Sequence, residues 1–216
     1  QMCIRDRSDT LVGYDVEVAT EIAKKLGVEP QFVEGEWDGL LAGLDAGRYD
    51  IMVNGVDITP ERAEKYDFST PYAYNRTAVI TKADDDSINT LEDLKGKKTA
   101  NTISSTYAEL AEQYGATVTG VDDLNQTFEL LLSGRIDATL NAEVTYYDYM
   151  KEHPDANAKI AVLTADANEV AIPMRKGDET ATLRAAIDTA IEEMRADGTL
   201  KELSEKYFGT DISTNE

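Results

Sequence analysis

Apolar positions along the chain follow two periods that alternate. Val18, Ala19, Ile22, Ala23 and Leu26 fall at helical spacing within 14–26, and Gly27 supplies the stop. Residues 28–33 read as a short strand. Leu40, Leu41 and Leu44 share one face of a helix that starts at Trp37 and ends before Gly47. A strand follows over 51–56. Thr59 then caps a helix with Pro60 at its first position. A strand over 78–82 leads into a second series. There, strands are predicted over 98–101, 116–121, 138–141, 160–163 and 170–174. Helices are predicted from Thr106, with Glu109 completing a capping box, then along Leu124, Phe128, Leu131 and Leu132, and over 144–151. Helices over 179–196 and 200–207 close the chain, split by Gly198. Strands alternating with helices predict an α/β fold with mainly parallel sheets.

A weak repeat runs through this pattern. Residues 40–56 (LLAGLDAGRYDIMVNGV) resemble 128–143 (FELLLSGRIDATLNAE): an apolar helix, Gly-Arg-x-Asp, then a strand ending in Asn. The register pairs Asn54 with Asn141 and Gly55 with Ala142. Two similar α/β halves imply two lobes, and in such sheets ligands lie beyond the carboxyl ends of the strands. That rule singles out 54–57, 102–106 and 141–143.

In the first segment, Gly55 admits close backbone approach and Asp57 brings a carboxylate. Arg62 stands in the first helical turn, where the macrodipole disfavours a cation unless an anion is near. It reads either as an anion clamp or as a surface arginine paired with Glu61 or Glu64. In the second segment, Ser104, Ser105 and Thr106 cluster at a strand-to-helix junction, as an anion site or as plain capping. In the third, Asn141 and Glu143 are ligand groups or a solvated loop. Trp37, the sole tryptophan, is a core residue or a partly exposed aromatic.

Composition narrows the chemistry. Among 216 residues, 42 are Asp or Glu and 21 are Lys or Arg, giving a net charge of −21. That excess excludes a nucleic-acid binder and disfavours anionic lipid. No apolar run reaches the length of a membrane span. One cysteine, Cys3, allows no internal disulfide, and with the single His153 it excludes a thiolate or histidine zinc site. No nucleophilic triad forms on these residues, no glycine-rich phosphate loop is present, and no cofactor is called for.

The motifs LVGYDVEVATEIAKKLGV, WDGLLAGLDAGRYDIMVNGVDITPERAEKYDFSTPY, LEDLKGKKTA, LLSGRIDATLNAE, PMRKGD and MRADGTLKELSEKYFG resemble, in this order, the solute-binding proteins of polar amino-acid ABC transporters. The resemblance runs from about Leu11 to Ile212, and within the family it is greatest to the cystine-binding group. It implies a two-lobed periplasmic-binding-protein-like fold, each lobe a mainly parallel sheet flanked by helices, joined by a two-strand hinge. Lobe one is expected at 8–80 plus 174–216 and lobe two at 81–173. The implied ligand is a free polar amino acid, taken up by hinge closure outside the cytoplasmic membrane and delivered by a monomer to an ABC permease.

The resemblance also implies roles. Arg62 matches the clamp on the α-carboxylate. Gly55, by its carbonyl, and Asp57, by its side chain, match acceptors for the α-ammonium. Trp37 walls the side-chain pocket, Thr102 lines it, and Thr106 donates to the carboxylate. Asn54, Ser105 and Asn141 complete the expected site. The usual acid after the second-lobe strand is replaced by Ala142, and Asp57 stands where Ser or Thr is commoner, so the counter-charge is expected on Asp57. Gln1–Arg7 (QMCIRDR) matches neither the strand nor the aromatic loop with which family members begin. An irregular terminus and a gap in the lobe-one sheet are therefore expected, with any signal peptide outside this sequence. A sensor domain of a receptor is one alternative. A cyclohexadienyl-type dehydratase, with Glu143 as proton donor, is the other.

Overall fold

The computed structural model describes residues 4–5 and 10–215. Cys3 and most of the Gln1–Arg7 segment lie outside the described residues. The chain divides into two compact units, Gln1–Gly35, Gly39–Asn75 and Asn168–Glu216 in the first, Glu36–Asp38 and Arg76–Ala167 in the second. The division thus falls at 75/76 and 167/168, several residues before the expected boundaries, and Trp37 groups with the second unit.

The first unit opens with β1 (Ile4–Arg5) antiparallel to β2 (Leu11–Val12), Ile4 opposite Val12. The absence of any strand before Leu11 was therefore the wrong expectation. Backbone pairing this short needs no period-two side-chain pattern, which is why composition hid it. Helix α1 (Tyr14–Leu26) buries Val16, Val18, Ala19, Ile22 and Ala23. It closes on Gly27 at φ +71°, a left-handed turn that favours glycine. Helix α2 (Trp37–Asp45) ends the same way: the Gly47 N–H donates to Leu44 and the Arg48 N–H to Gly43, each at 3.0 Å.

Residues 28–33 do not form the expected strand. They are irregular, and Val28, Phe32 and Val33 are exposed. Instead of the strand expected over 51–56, two single bridges stand at Ile51 with Met174 and, just beyond it, at Asp57 with Val170. Apolar β-branched sequence becomes a strand only where a neighbour takes up its N–H and C=O groups. Helix α3 (Pro60–Lys65), β3 (Tyr66–Phe68) and β4 (Ala73–Asn75) complete this stretch.

The second unit is built on one sheet of β5 (Thr77–Lys82), β6 (Lys98–Asn101), β7 (Thr117–Gly120), β8 (Ala138–Ala142) and β9 (Ala158–Leu163), in the order β7-β6-β8-β5-β9. Pairing of β6 with β7 and β8 is parallel, but β5 is antiparallel to both β8 and β9. The sheet is therefore mixed rather than purely parallel, with β5 the strand that runs against its neighbours. Alternation along β5 sends Ala78 and Ile80 to one face and Val79 to the other. The first face packs on Phe128 and Leu131 of α5 (Leu124–Leu132) and on α6 (Glu143–Glu152). The second packs on Ala111 of α4 (Thr106–Gln113) and on Leu94.

The chain then returns to the first unit. The single strand expected over 170–174 is two: β10 (Asn168–Val170) pairs with β4 and β11 (Pro173–Arg175) with β3. Ala171 and Ile172, fully buried, carry the chain from one pairing to the other. Helices α7 (Asp178–Ala196) and α8 (Thr199–Phe208) pack against α1. Ser213 is buried, and its carbonyl accepts from Arg195 Nε at 3.2 Å.

A fully buried carboxyl lies inside the first unit. Asp15, in the first turn of α1, accepts a 2.7 Å hydrogen bond from the Tyr72 hydroxyl. Its second oxygen has no partner among the described residues. Burial pushes its pKa up from 3.8 to about 7, against the opposing pull of the Tyr72 hydrogen bond. The native state thus keeps a proton that the unfolded chain has already released. This contribution to stability is largest below 3.8 and is lost as pH rises through about 7. Thermal unfolding of Asp15→Asn and the unchanged protein between pH 5 and 8 tests this. The unchanged protein should lose ground against the variant as pH rises, and parallel melting curves would contradict it.

Candidate ligand site

The strongest expectation fell on Arg62, and local structure explains its setting. Thr59 is extended, and its hydroxyl accepts the Arg62 N–H at 3.1 Å, while Pro60 supplies the first helical position. This cap fixes where α3 begins and turns Arg62 inward. Arg62 is 9 % exposed, and its Nη1 donates to the Asp57 carbonyl at 3.1 Å. Glu61 pairs instead with Lys65 at 2.9 Å, on the solvent side. The reading of Arg62 as a surface partner of Glu61 or Glu64 is thereby set aside. A guanidinium taken from water needs charged or strongly polar company.

The loop before α3 is pinned at both ends. The Ile58 N–H donates to the Glu169 carbonyl at 2.9 Å, and the Ala171 N–H to the Val56 carbonyl at 3.0 Å. Asp57, between them, is 5 % exposed. Gly55 sits at φ +58°, where a β-carbon is disfavoured. Its N–H donates to the Tyr72 hydroxyl at 3.2 Å, and that hydroxyl in turn donates to Asp15. The Tyr14 hydroxyl donates to the Tyr72 carbonyl at 3.2 Å. Tyr72 and Asp15 therefore position Gly55, though neither was among the expected site residues. Half-buried Asn54 precedes Gly55. The first unit thus brings Asn54, Gly55, Asp57 and Arg62 into one rigid turn with a buried cation.

In the second unit, the 102–106 turn and Asn141 lie at the carboxyl ends of β6 and β8, neighbours in the sheet. The helix cap is Ser105, not Thr106. Ser105 is extended, its hydroxyl accepts from the Ala108 N–H at 3.2 Å and donates to the Thr102 carbonyl at 2.6 Å, and Thr106 is the first helical residue. The hydroxyl that fits the cap is the one whose residue keeps extended backbone, and sequence spacing places that one residue too far along. Asn101, overlooked as the last residue of a strand, is buried, and its Nδ2 donates to the Leu140 carbonyl at 2.6 Å. It ties the two strand ends together. Asn141 accepts the Ala142 N–H at 2.9 Å, and Trp37 is half-buried at the start of α2.

Glu143, which lies between the predicted strand 138–141 and helix 144–151, opens α6 rather than sitting in a solvated loop, and its two oxygens accept from Arg76 Nε and Nη2 at 3.2 and 2.9 Å. Among the described residues no group of three or more His, Cys, Asp or Glu is placed to hold a metal ion, and no helix is long and apolar enough to cross a membrane.

Known proteins are similar to this chain in sequence or in fold. A probable amino-acid ABC transporter-binding protein of Haemophilus influenzae is 40 % identical over 208 residues, 96 % of this chain and 80 % of that protein. The L-cystine-binding protein TcyA of Bacillus subtilis is 40 % identical over 206 residues, 95 % of this chain and 76 % of that protein. The solved structure of an ancestral arginine-binding protein bound to arginine is 37 % identical with a TM-score of 0.88, covering 96 % of this chain and 93 % of its own. The family model for bacterial extracellular solute-binding proteins, family 3, matches residues 1–210, and the chain belongs to that family.

Proposed function

We propose that this protein binds a free polar amino acid, cystine-like by preference, outside the cytoplasmic membrane and hands it to an ABC permease. The observation that carries the reading is the buried Arg62, held on a capped helix beside Asp57 and Gly55. In this reading Arg62 takes the α-carboxylate through paired N–H donors. The Gly55 carbonyl and the Asp57 carboxylate take the α-ammonium. Thr102, Ser105, Thr106 and Asn141 are the ligand-facing polar groups of the second unit, and Trp37 is the apolar wall. The protein acts as a monomer. Likeness to cystine-binding relatives supports the side-chain preference. The dehydratase alternative is the weaker one, because both oxygens of its proton-donor candidate, Glu143, are taken up by Arg76. A thermal-shift screen of the amino acids, cystine included, tests the reading. A ligand at 100 times its Kd adds about 2.7 kcal/mol of stability, and no shift with any amino acid would refute it.

Two substitutions separate the roles. Arg62→Ala should weaken binding by about 2–5 kcal/mol, roughly 30-fold to several-thousand-fold. Calorimetry on a variant that melts normally reads this, and affinity kept within about threefold would remove Arg62 from the site. Asp57→Asn should weaken binding strongly, because an ammonium stripped of water needs a counter-charge. Glu143→Gln should change it little. The reverse ranking would move the counter-charge to Glu143.

A further inference from the structure

The turn after β6 carries an apolar side chain where small polar residues dominate. The Ser105 N–H donates to the Thr102 carbonyl at 3.1 Å, closing a turn with Ile103 and Ser104 at its centre. Central turn positions favour Gly, Pro, Asn, Asp and Ser. Ile103 is instead β-branched, and it is 57 % exposed. Of the five large hydrophobic residues exposed among the described residues, Val28, Phe32 and Val33 lie in the first unit and Tyr147 on α6. Ile103 alone among them stands directly at the carboxyl end of a strand of the second unit's sheet, on the turn that also bears Thr102, Ser105 and Thr106.

The neighbouring strand makes room for this side chain. Asn101 at the end of β6 stands opposite Gly120 at the end of β7. Gly120 is not among the glycines at positive φ, so its backbone does not require glycine. A glycine within a strand is otherwise unfavourable and often marks a close approach. Here a β-carbon on Gly120 would stand 2.8 Å from Ile103 Cγ1 and 3.1 Å from Cδ1. Ile103 is therefore seated across Gly120, with the rest of its surface in solvent. It belongs to neither of the apolar layers that flank the sheet. An exposed isoleucine on a turn and a bare glycine in a strand each run against local preference, and the packing of the second unit offsets neither. Departures of this kind concentrate at functional positions.

We propose that Ile103 is a specificity-determining residue of the ligand site, packing against the sulfur and carbon atoms beyond the β-carbon of the bound amino acid, and that Gly120 sets its position. This rests on the amino-acid reading above and supplies what that reading leaves open, a physical reason for preferring a long sulfur-containing side chain. A hydroxyl or charge placed against Ile103 would lose water without gaining a partner. A thioether or disulfide is polarizable and apolar, and gains contact there. The polar groups of the same turn then serve the part of the ligand common to all amino acids, and Ile103 serves the part that differs.

The probes are cystine, S-methylcysteine and alanine, which share the α-ammonium and α-carboxylate and differ beyond the β-carbon. Calorimetry, by displacement where binding is weak, gives the Kd of each for the unchanged protein, Ile103→Ser and Gly120→Ala. Ile103→Ser should weaken cystine and S-methylcysteine by about tenfold or more and alanine by less than about twofold, the scale on which apolar contacts discriminate between side chains. Gly120→Ala displaces Ile103 without changing its chemistry, and should shift the same ratios in the same direction by a smaller factor. Equal weakening of all three ligands by Ile103→Ser would overturn the proposal, since the residue would then serve a step common to every ligand. Affinities unchanged by Ile103→Ser would overturn it as well. Failure of all three to bind the unchanged protein would refute the amino-acid reading itself, and this inference with it.

Discussion

The hydrogen bond from the Tyr72 hydroxyl to the Asp15 carboxyl is the constraint on which the first unit's candidate site rests. It joins residues 57 positions apart in a fully buried setting. The same hydroxyl takes the Gly55 N–H, so α1, the strand-bound 72–75 segment and the glycine turn are fixed to one another. A buried acid is costly unless it is neutral or well partnered. Asp15 has one good partner and one oxygen without one, and its raised pKa is the consequence. The Tyr72 hydroxyl is desolvated by burial and faces the Asp15 charge, so its own pKa is pushed well up, and it stays a donor throughout the working range of pH. Gly55 is thereby positioned before any ligand arrives, which lowers the ordering that binding requires.

The second unit reaches a comparable result by different means. Its sheet is sandwiched, with Ala78 and Ile80 in one apolar layer and Val79 in the other. The strand ends that carry Thr102–Thr106 and Asn141 are tied by Asn101 to Leu140, and by the Thr139 hydroxyl to the Ala100 carbonyl at 2.9 Å. Polar cross-links at strand ends hold loops that side-chain packing alone leaves loose.

Much of this was legible in the chain itself where the signals are local. Helix α1 could be read from its apolar spacing and Gly27, α3 from Thr59-Pro60, and β6 from its bounds at 98 and 101. What failed were the features set by distant partners. Residues 28–33 carry strand-forming side chains, but a strand needs a neighbour that residue type does not reveal. Val170 to Met174 looked continuous, yet its two ends pair with different strands. Asp15 reads as an ordinary acid at a helix start, favoured by the dipole, until Tyr72 is placed against it. Glu143 read as a residue between strand and helix, but β8 runs one residue further than its pattern suggests and α6 starts one residue earlier, so the two elements abut at Glu143. Arg62, by contrast, drew notice because a cation at a helix start is locally disfavoured, and its burial bears out that this position is unusual.

Recognition of the α-carboxylate by a buried arginine is the central claim, and removing the carboxylate from the ligand tests it without altering the protein. Calorimetry would compare an amino acid that binds with its α-carboxamide, which keeps the ammonium and side chain and loses only the negative charge. Binding through Arg62 predicts that the carboxamide is weaker by roughly 30-fold or more. Equal affinity for the two would contradict it.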